Sequence, residues 1–280
     1  MEDEVLTEKF KLQVDKKEIL NLLEYDKKDI VFISGSIVEG ISNKYSDLDV
    51  YVIKSDFSNM NLSNMDYVSD MNKSQFGQLS NGIRCDIEYW SLSTVTSLIS
   101  KIKAINFEDL SIRTLNQIDI KNCSTDELAS FIHRFVNSYP IYNEEDYKPL
   151  KEQLDLNKFC KLMARKHINS MDNKYEDVIG NMESNSKETA LISARNLLFE
   201  LMAAYIFSEK HTIDRTKWIF EKLKIIADKS DNGKEILEQF KKLYCYCQLN
   251  DEKDILENVE SILNFSNKVL EIIEDDLGGI

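Results

Sequence analysis

The segment Val31-Phe-Ile-Ser-Gly-Ser-Ile-Val-Glu-Gly-Ile-Ser-Asn-Lys-Tyr-Ser-Asp-Leu-Asp-Val-Tyr-Val-Ile53 constrains the fold more than any other part of the chain. Val31, Phe32 and Ile33 form a β-branched and aromatic run that predicts a buried strand, and Gly35 breaks it where the chain must turn. A short helix is expected next. Ser36 would stand at its start, where unpaired backbone N–H groups can hold a phosphate. Ser34, Gly35 and Ser36 are therefore candidate phosphate-binding residues. A second strand follows, and Asp47 and Asp49 stand two residues apart at its entrance, so both side chains point to one face. Carboxylates held that close call for a cation, and Mg²⁺ commonly joins one or two of them to phosphate oxygens.

Gly35-Ser36, ten intervening residues and then Asp47-Leu48-Asp49-Val50, with Ser46 before the first acid, resemble the signature of the DNA polymerase beta-like nucleotidyltransferase superfamily. Gly-Ser alone carries no information and Asp-x-Asp carries little. In the order apolar strand, Gly-Ser, short helix, carboxylate strand, the pattern is specific. The bland alternative is an ordinary turn followed by two solvated acids. A third acid is expected from the same chemistry. Asn81-Gly-Ile-Arg-Cys-Asp-Ile-Glu-Tyr-Trp90 alternates, with Arg84, Asp86 and Glu88 on one face and Cys85, Ile87 and Tyr89 on the other, as a half-buried strand does. Asp86 or Glu88 could join the first two acids, as a metal ligand or as the base for an attacking hydroxyl. The resemblance favours Asp86, which makes Asp47, Asp49 and Asp86 the metal-ligand set, with Glu88 as the further catalytic candidate.

Composition narrows the class. A chain of 280 residues can bury two cores, and 42% hydrophobic residues with 10% aromatics exclude a disordered protein. Only 8 Gly and 2 Pro imply long regular elements. No stretch approaches eighteen uncharged apolar residues, so no membrane span is expected. The acidic start Met1-Glu-Asp-Glu is unlike a secretory signal. Cys85, Cys123, Cys160, Cys245 and Cys247 are scattered without paired metal-ligand spacing, which points to a cytoplasmic location. The net charge of −14 argues against a nucleic-acid partner gripped along its phosphates. It tilts toward a small acceptor, a cationic one in particular, although an acidic surface is also simply a soluble one.

The periodicity divides the chain into two halves. A first helix over about 16–24 leads into strand 31–34, with further strands near 48–54, 66–69 and 82–90 and a helix over 91–105. An α+β nucleotidyltransferase domain is thus expected over 1–105 and an all-α helical bundle over 106–280, with a connecting helix at 106–122. Ser124-Thr-Asp-Glu127 offers a cap for an amphipathic run carrying Leu128, Phe131, Ile132, Phe135 and Val136. Further helical runs cover about 156–171, 187–209, 215–229, 233–248 and 252–274. No internal repeat interrupts them.

One residue of the helical half carries chemical content. Arg195 has Leu191, Ile192, Leu198 and Phe199 as its helical neighbours, and a guanidinium in apolar surroundings needs an anion. A buried carboxylate is the structural candidate, and a nucleotide triphosphate the functional one. Ser193-Ala-Arg-Asn196, Ser208-Glu-Lys210 and Thr216-Lys-Trp218 resemble the helical domain of antibiotic adenylyltransferases, including the aminoglycoside type, where basic residues close over the phosphates of ATP. Arg195, Lys210 and Lys217 are the corresponding nucleotide-binding candidates. His133, His167 and His211 form no metal or triad pattern and read as packing or surface residues.

Together the resemblance implies an Mg²⁺-dependent adenylyltransferase that moves AMP from ATP, or another nucleoside triphosphate, to a hydroxyl of a small molecule, an aminoglycoside-like antibiotic among the options. Modification of a protein, peptide or tRNA end is the alternative, and a nucleotide-binding regulator without catalysis the third. Some related antibiotic transferases build the site between two chains, so a homodimer is compatible with the resemblance.

Overall fold

Strand β1 (Ile30–Ser34) is buried at every position, so it must be paired on both edges and covered on both faces. The computed structural model describes residues 10, 15–58, 60–69, 71–109 and 114–277. In it β1 lies between β2 (Leu48–Lys54) and β6 (Tyr139–Tyr142), antiparallel to both. With β3 (Tyr67–Val68), β4 (Asn72–Gln78) and β5 (Arg84–Ser91) the sheet has the order β3-β4-β5-β2-β1-β6. β2 and β5 run parallel, and the β3–β4 hairpin lies in the connection between them.

The two faces bury different chemistry. Val31, Ile33, Leu48, Val50, Val52, Cys85, Ile87 and Tyr89 form one aliphatic-rich core with Ile19 of the short helix α1 (Lys16–Leu20). The opposite face carries Phe32, Tyr51 and Trp90. Helix α2 (Leu92–Ala104) follows β5, and α3 (Thr125–Val136) lays Phe131 and Phe135 on these rings. Ring centroids lie 4.5 Å apart for Trp90–Phe131 and 5.6 Å for Phe32–Phe135, within the range where aromatic pairs add to area burial. Ser124 and Glu127 close a full capping box at the start of α3. Away from this layer, Asp29 is fully buried and accepts from Lys54 Nζ at 2.9 Å.

The α+β class expected from the sequence holds, but the division of the chain does not fall at residue 105. The compact units are Met1–Asp155 and Leu156–Ile280. The reason is β6, whose four residues around Pro140 complete the sheet beside β1. Pro140 sits on an edge strand, where a missing N–H is tolerated, and a strand so short leaves no periodicity to read. Helix α4 (Glu144–Glu152) also belongs to the first unit. The expected connecting helix reduces to a 3₁₀ segment at Thr114–Ile118, with 110–113 outside the described residues.

Every regular element of the second unit's described residues is helical: α5 (Leu156–Glu183), α6 (Lys187–Ser208), a 3₁₀ turn (Thr216–Trp218), α7 (Ile219–Ala227), α8 (Asp231–Phe240), a π-helical turn (Lys241–Cys245) and α9 (Glu252–Leu277). Helix α6 packs along both α5 and α9. Contrary to expectation, α6 is long and apolar enough to cross a membrane, yet its apolar window is 67% buried inside the protein, as a core helix is.

Glu200 of α6 accepts from His167 Nδ1 at 2.6 Å and pairs with Lys174 Nζ at 3.0 Å. Burial pushes the Glu200 carboxyl up, but these two partners outweigh it and hold the group at about 2, below its ordinary 4.5. A depressed carboxylate stabilises the fold above its unfolded value and stops doing so as pH falls through the folded one. Glu200→Gln should therefore cost up to about 3 kcal/mol at neutral pH. The gap to the parent protein should close as pH falls from 4.5 toward 2. Denaturant melts across pH check this, and a gap independent of pH would reject the assignment.

Candidate active site

The parallel register sets the site. Asp49 stands opposite Asp86, and Tyr51 opposite Glu88, on strands about 4.8 Å apart. In-register neighbours share a face, so Asp49 and Asp86 project side by side. Asp47, one pleat earlier, pairs with the exposed Arg84 at 3.0 Å, a contact worth little by itself. Among the described residues no group of three or more His, Cys, Asp or Glu side chains is arranged to hold a metal ion. Asp47, Asp49 and Asp86 thus form no closed three-acid cage. Two carboxylates are nevertheless the usual protein share of an Mg²⁺ site that phosphate oxygens complete, and Asp49 with Asp86 fits that donor set.

Gly35 follows β1 with φ +83°, a left-handed conformation that glycine adopts without steric cost. A Cβ there would fall 1.7 Å from Asp49 Oδ2 and 2.8 Å from Arg134 Nη1. The absent side chain is what lets the carboxylate and the guanidinium lie over the turn. Beyond it the expected short helix does not form. Residues 36–40 make turns, with Glu39 N–H bonded to Gly35 O and Ile41 N–H to Ser36 O, both at 3.0 Å. One turn bearing β-branched Ile37 and Val38 and stopped by Gly40 is too short to propagate a helix. Ser36, though buried, therefore has no helix terminus behind it.

The positive charge at this turn comes from α3. Arg134 Nη1 lies 3.2 Å from Asp49 Oδ2, with only 7% of its side chain exposed. The same helix is tied down twice more. Ser34 Oγ donates to Arg134 O at 2.7 Å and to Asn137 O at 3.1 Å, and His133 Nε2 meets Glu39 at 3.3 Å. The Ser34 hydroxyl is therefore a fully buried clamp between strand and helix. Glu88 is likewise engaged: its two carboxylate oxygens accept from Tyr51 Oη at 3.1 Å and Trp90 Nε1 at 2.9 Å. Burial first, then the Glu88 charge, pushes the Tyr51 phenol well above its ordinary range, so it remains a donor. Asp86, rather than Glu88, is the acid beside Asp49.

The remaining candidates lie in the second unit. Arg195 donates to Cys247 Sγ at 3.3 Å, and its guanidinium lies 5.4 Å from the Tyr244 ring centroid. Where a buried carboxylate was the structural candidate, the side chain meets a soft sulfur and an aromatic ring, both of which suit a weakly hydrated guanidinium. Lys210 occupies a left-handed position at φ 62° just past α6, where glycine or asparagine is usual. Lys217 Nζ lies 4.7 Å from the Trp218 ring centroid. Sequence reasoning missed Arg134 and His133. The available signal was a basic pair in the last turn of α3 between the buried Ile132 and Phe135.

Gly35→Ala should force the Asp49 carboxylate away from Arg134 and strain the turn. A loss of about 1–3 kcal/mol in stability is expected, with a change in whatever ligand affinity depends on Asp49. A variant that melts and binds like the parent protein would show that the turn relaxes without consequence.

No protein-family model matches the sequence, and no curated protein does. Among solved structures, the chain is similar to a nucleotidyltransferase-like protein from Exiguobacterium sibiricum 255-15, at 10% identity and a TM-score of 0.48. The match covers 94% of this chain and 78% of that one. Likeness at this distance transfers no residue role.

Proposed function

We propose that the protein transfers a nucleoside monophosphate, AMP from ATP by the sequence resemblance, to a hydroxyl of a small acceptor. The observation that carries this reading is the in-register placement of Asp49 beside Asp86, with Gly35 and Arg134 packed against the first of them. A carboxylate pair beside a buried guanidinium at a glycine turn suits a polyphosphate chain. Arg134 would hold phosphate oxygens, as a guanidinium does bidentately. Asp86 would accept the proton of the attacking hydroxyl. Asp49 and Asp86, with Asp47 beside them, would hold Mg²⁺, which when bound offsets charge on the phosphates and leaving oxygens. Arg134 would then shift its charge from Asp49 to the incoming phosphate.

A binding-only regulator is the second reading, and a specific observation favours it: Asp47 and Asp49 are each already paired with an arginine. Mg²⁺-dependent release of pyrophosphate from ATP separates the two. The transferase reading expects release that rises with added acceptor alcohols. It further expects Asp49→Asn to reduce turnover by a thousandfold or more, roughly 4 kcal/mol of barrier, with the fold intact. Arg134→Lys should chiefly weaken nucleotide binding. Tight ATP binding with no pyrophosphate formed, alike in parent and Asp49→Asn protein, would establish the regulator instead.

A further inference from the structure

Two features of the sequence have no part in the acids of the first unit: the guanidinium of Arg195 and the pair Cys245-x-Cys247. The second unit brings them together. Arg195 on α6 donates through Nη2 to Cys247 Sγ at 3.3 Å, and Cys247 Sγ donates in turn to Tyr244 O at 3.7 Å. The Tyr244 ring, 5.4 Å from the guanidinium, packs on Phe199 and Phe240 and holds the arrangement in place. Among the described residues Arg195 meets no carboxylate, and its Nε is buried without a hydrogen-bond partner. A guanidinium cannot shed its proton, so this one lies half-buried with its charge uncompensated.

The five cysteines are not alike. Burial first, and nearby carboxylates second, push the Cys85 thiol up to about 12 and the Cys123 thiol up to about 11, and burial does the same to Cys160, at about 12. Thiols so placed are inert at neutral pH. Cys247 is half-exposed and beside a cation, and Cys245 is exposed. Those are the surroundings of oxidisable thiols. Cys245 ends the π-helical turn, and Tyr246 after it is folded, at φ −120° and ψ 11°. A folded residue between them keeps the two Cα atoms within the range of about 4.4–6.8 Å that a disulfide spans.

We propose that Cys247 is a site of oxidation by hydrogen peroxide, with Arg195 positioning its sulfur and Cys245 closing a disulfide on it. The Cys247 sulfur attacks one peroxide oxygen, so that an S–O bond forms and the O–O bond breaks. The departing oxygen takes up the thiol proton and leaves as water. Negative charge on the attacking sulfur, and then on the sulfenate oxygen, is the counter-charge that Arg195 lacks, and the unfilled Nε–H is a second donor for that oxygen. The Cys245 sulfur then attacks the Cys247 sulfur. The S–S bond forms, the S–O bond breaks, and hydroxide leaves with the Cys245 proton as a second water. Two thiols together lose two electrons and one peroxide gains them. The disulfide draws Cys247 Sγ off Arg195 and so unties the end of the π turn from α6. Being exposed, it is reversed by thiol reductants. None of the residues of the transfer reading takes part, so the two stand or fall separately.

The test exposes the full chain to dilute hydrogen peroxide and follows each cysteine by mass spectrometry. Cys247 should react about ten- to a hundredfold faster than Cys123, whose thiol is suppressed. The product should be a Cys245–Cys247 disulfide that dithiothreitol reverses. In Cys245→Ser the reaction should stop at a Cys247 sulfenate, which a cyclic 1,3-diketone traps. Arg195→Gln should slow Cys247 about tenfold relative to Cys123 in the same molecule, and Arg195→Lys should keep most of the parent rate. The Cys245→Ser arm leaves Arg195 in place, so it decides the site even where a substitution at 195 loosens the helix packing. A sulfenate carried by Cys245, a Cys247 that reacts no faster than Cys123, or a rate indifferent to the charge at position 195 overturns the proposal. A Cys247 sulfenate that persists in the parent protein without closing on Cys245 overturns it too.

Discussion

The parallel pairing of β2 with β5 is the constraint on which the rest of the site depends. Side chains alternate along a strand, so a slip of one residue would exchange the two faces. Leu48, Val50 and Val52 would then leave the core they share with Cys85, Ile87 and Tyr89, and Asp49 would enter it. Burying an unpaired carboxylate costs several kcal/mol, far more than a ladder hydrogen bond returns. The apolar face therefore enforces the register, and the register delivers Asp49 to Asp86. No contact between the two acids is needed for this. The apolar face holds in place the one that carries the acids.

Helix α3 adds what the sheet cannot. Its Phe131 and Phe135 are fixed by edge-on and tilted packing against Tyr51, Trp90 and Phe32, and that anchoring fixes the rotation of the helix. Arg134 then has one direction available, toward Asp49 and the Gly35 turn. The Ser34 hydroxyl on the last-turn carbonyls and the His133–Glu39 contact remove the remaining freedom. A guanidinium this buried has lost most of its water, so its interaction with Asp49 is stronger than a surface pair, and its partner can be exchanged only for another anion. The turn thereby holds a fixed guanidinium, paired with Asp49, that no helix terminus supplies.

How much of this was legible follows the physical range of each signal. Strands β1, β2 and β5 could be read because burial writes a local pattern into five to eight consecutive residues, and the same-face placement of Asp47 with Asp49 and of Asp86 with Glu88 follows from the pleat. β4 and β6 could not. Asn72–Gln78 is polar and half-exposed, and the four residues of β6 surround a proline. The unit boundary went astray with β6, since one short strand decides to which core α3 belongs. The cation was sought on the long apolar helix at Arg195, where local surroundings made it conspicuous. The buried Arg134 was passed over, because its partner Asp49 lies 85 residues away in sequence. Long-range ion pairs leave no periodicity, and only the folded register shows them.

The charges of the first unit are sorted along one face, and that sorting matters more than their sum. A chain with a net charge of −14 repels a polyphosphate at long range. A phosphate can settle only where it meets a cation directly, and Arg84 and Arg134 stand at Asp47 and Asp49. At the other end of the row Glu88 and Glu127 face a cavity that Lys73 also lines. Complementary charge of this kind fixes orientation more than it adds affinity. An anionic group that meets this face is oriented by the arginine side of the row. Salt acts unequally on the two: the half-buried row is shielded by the protein, while the long-range repulsion fades over about 10 Å at moderate ionic strength. Raising ionic strength should therefore ease the entry of the anion without erasing the sorting that orients it.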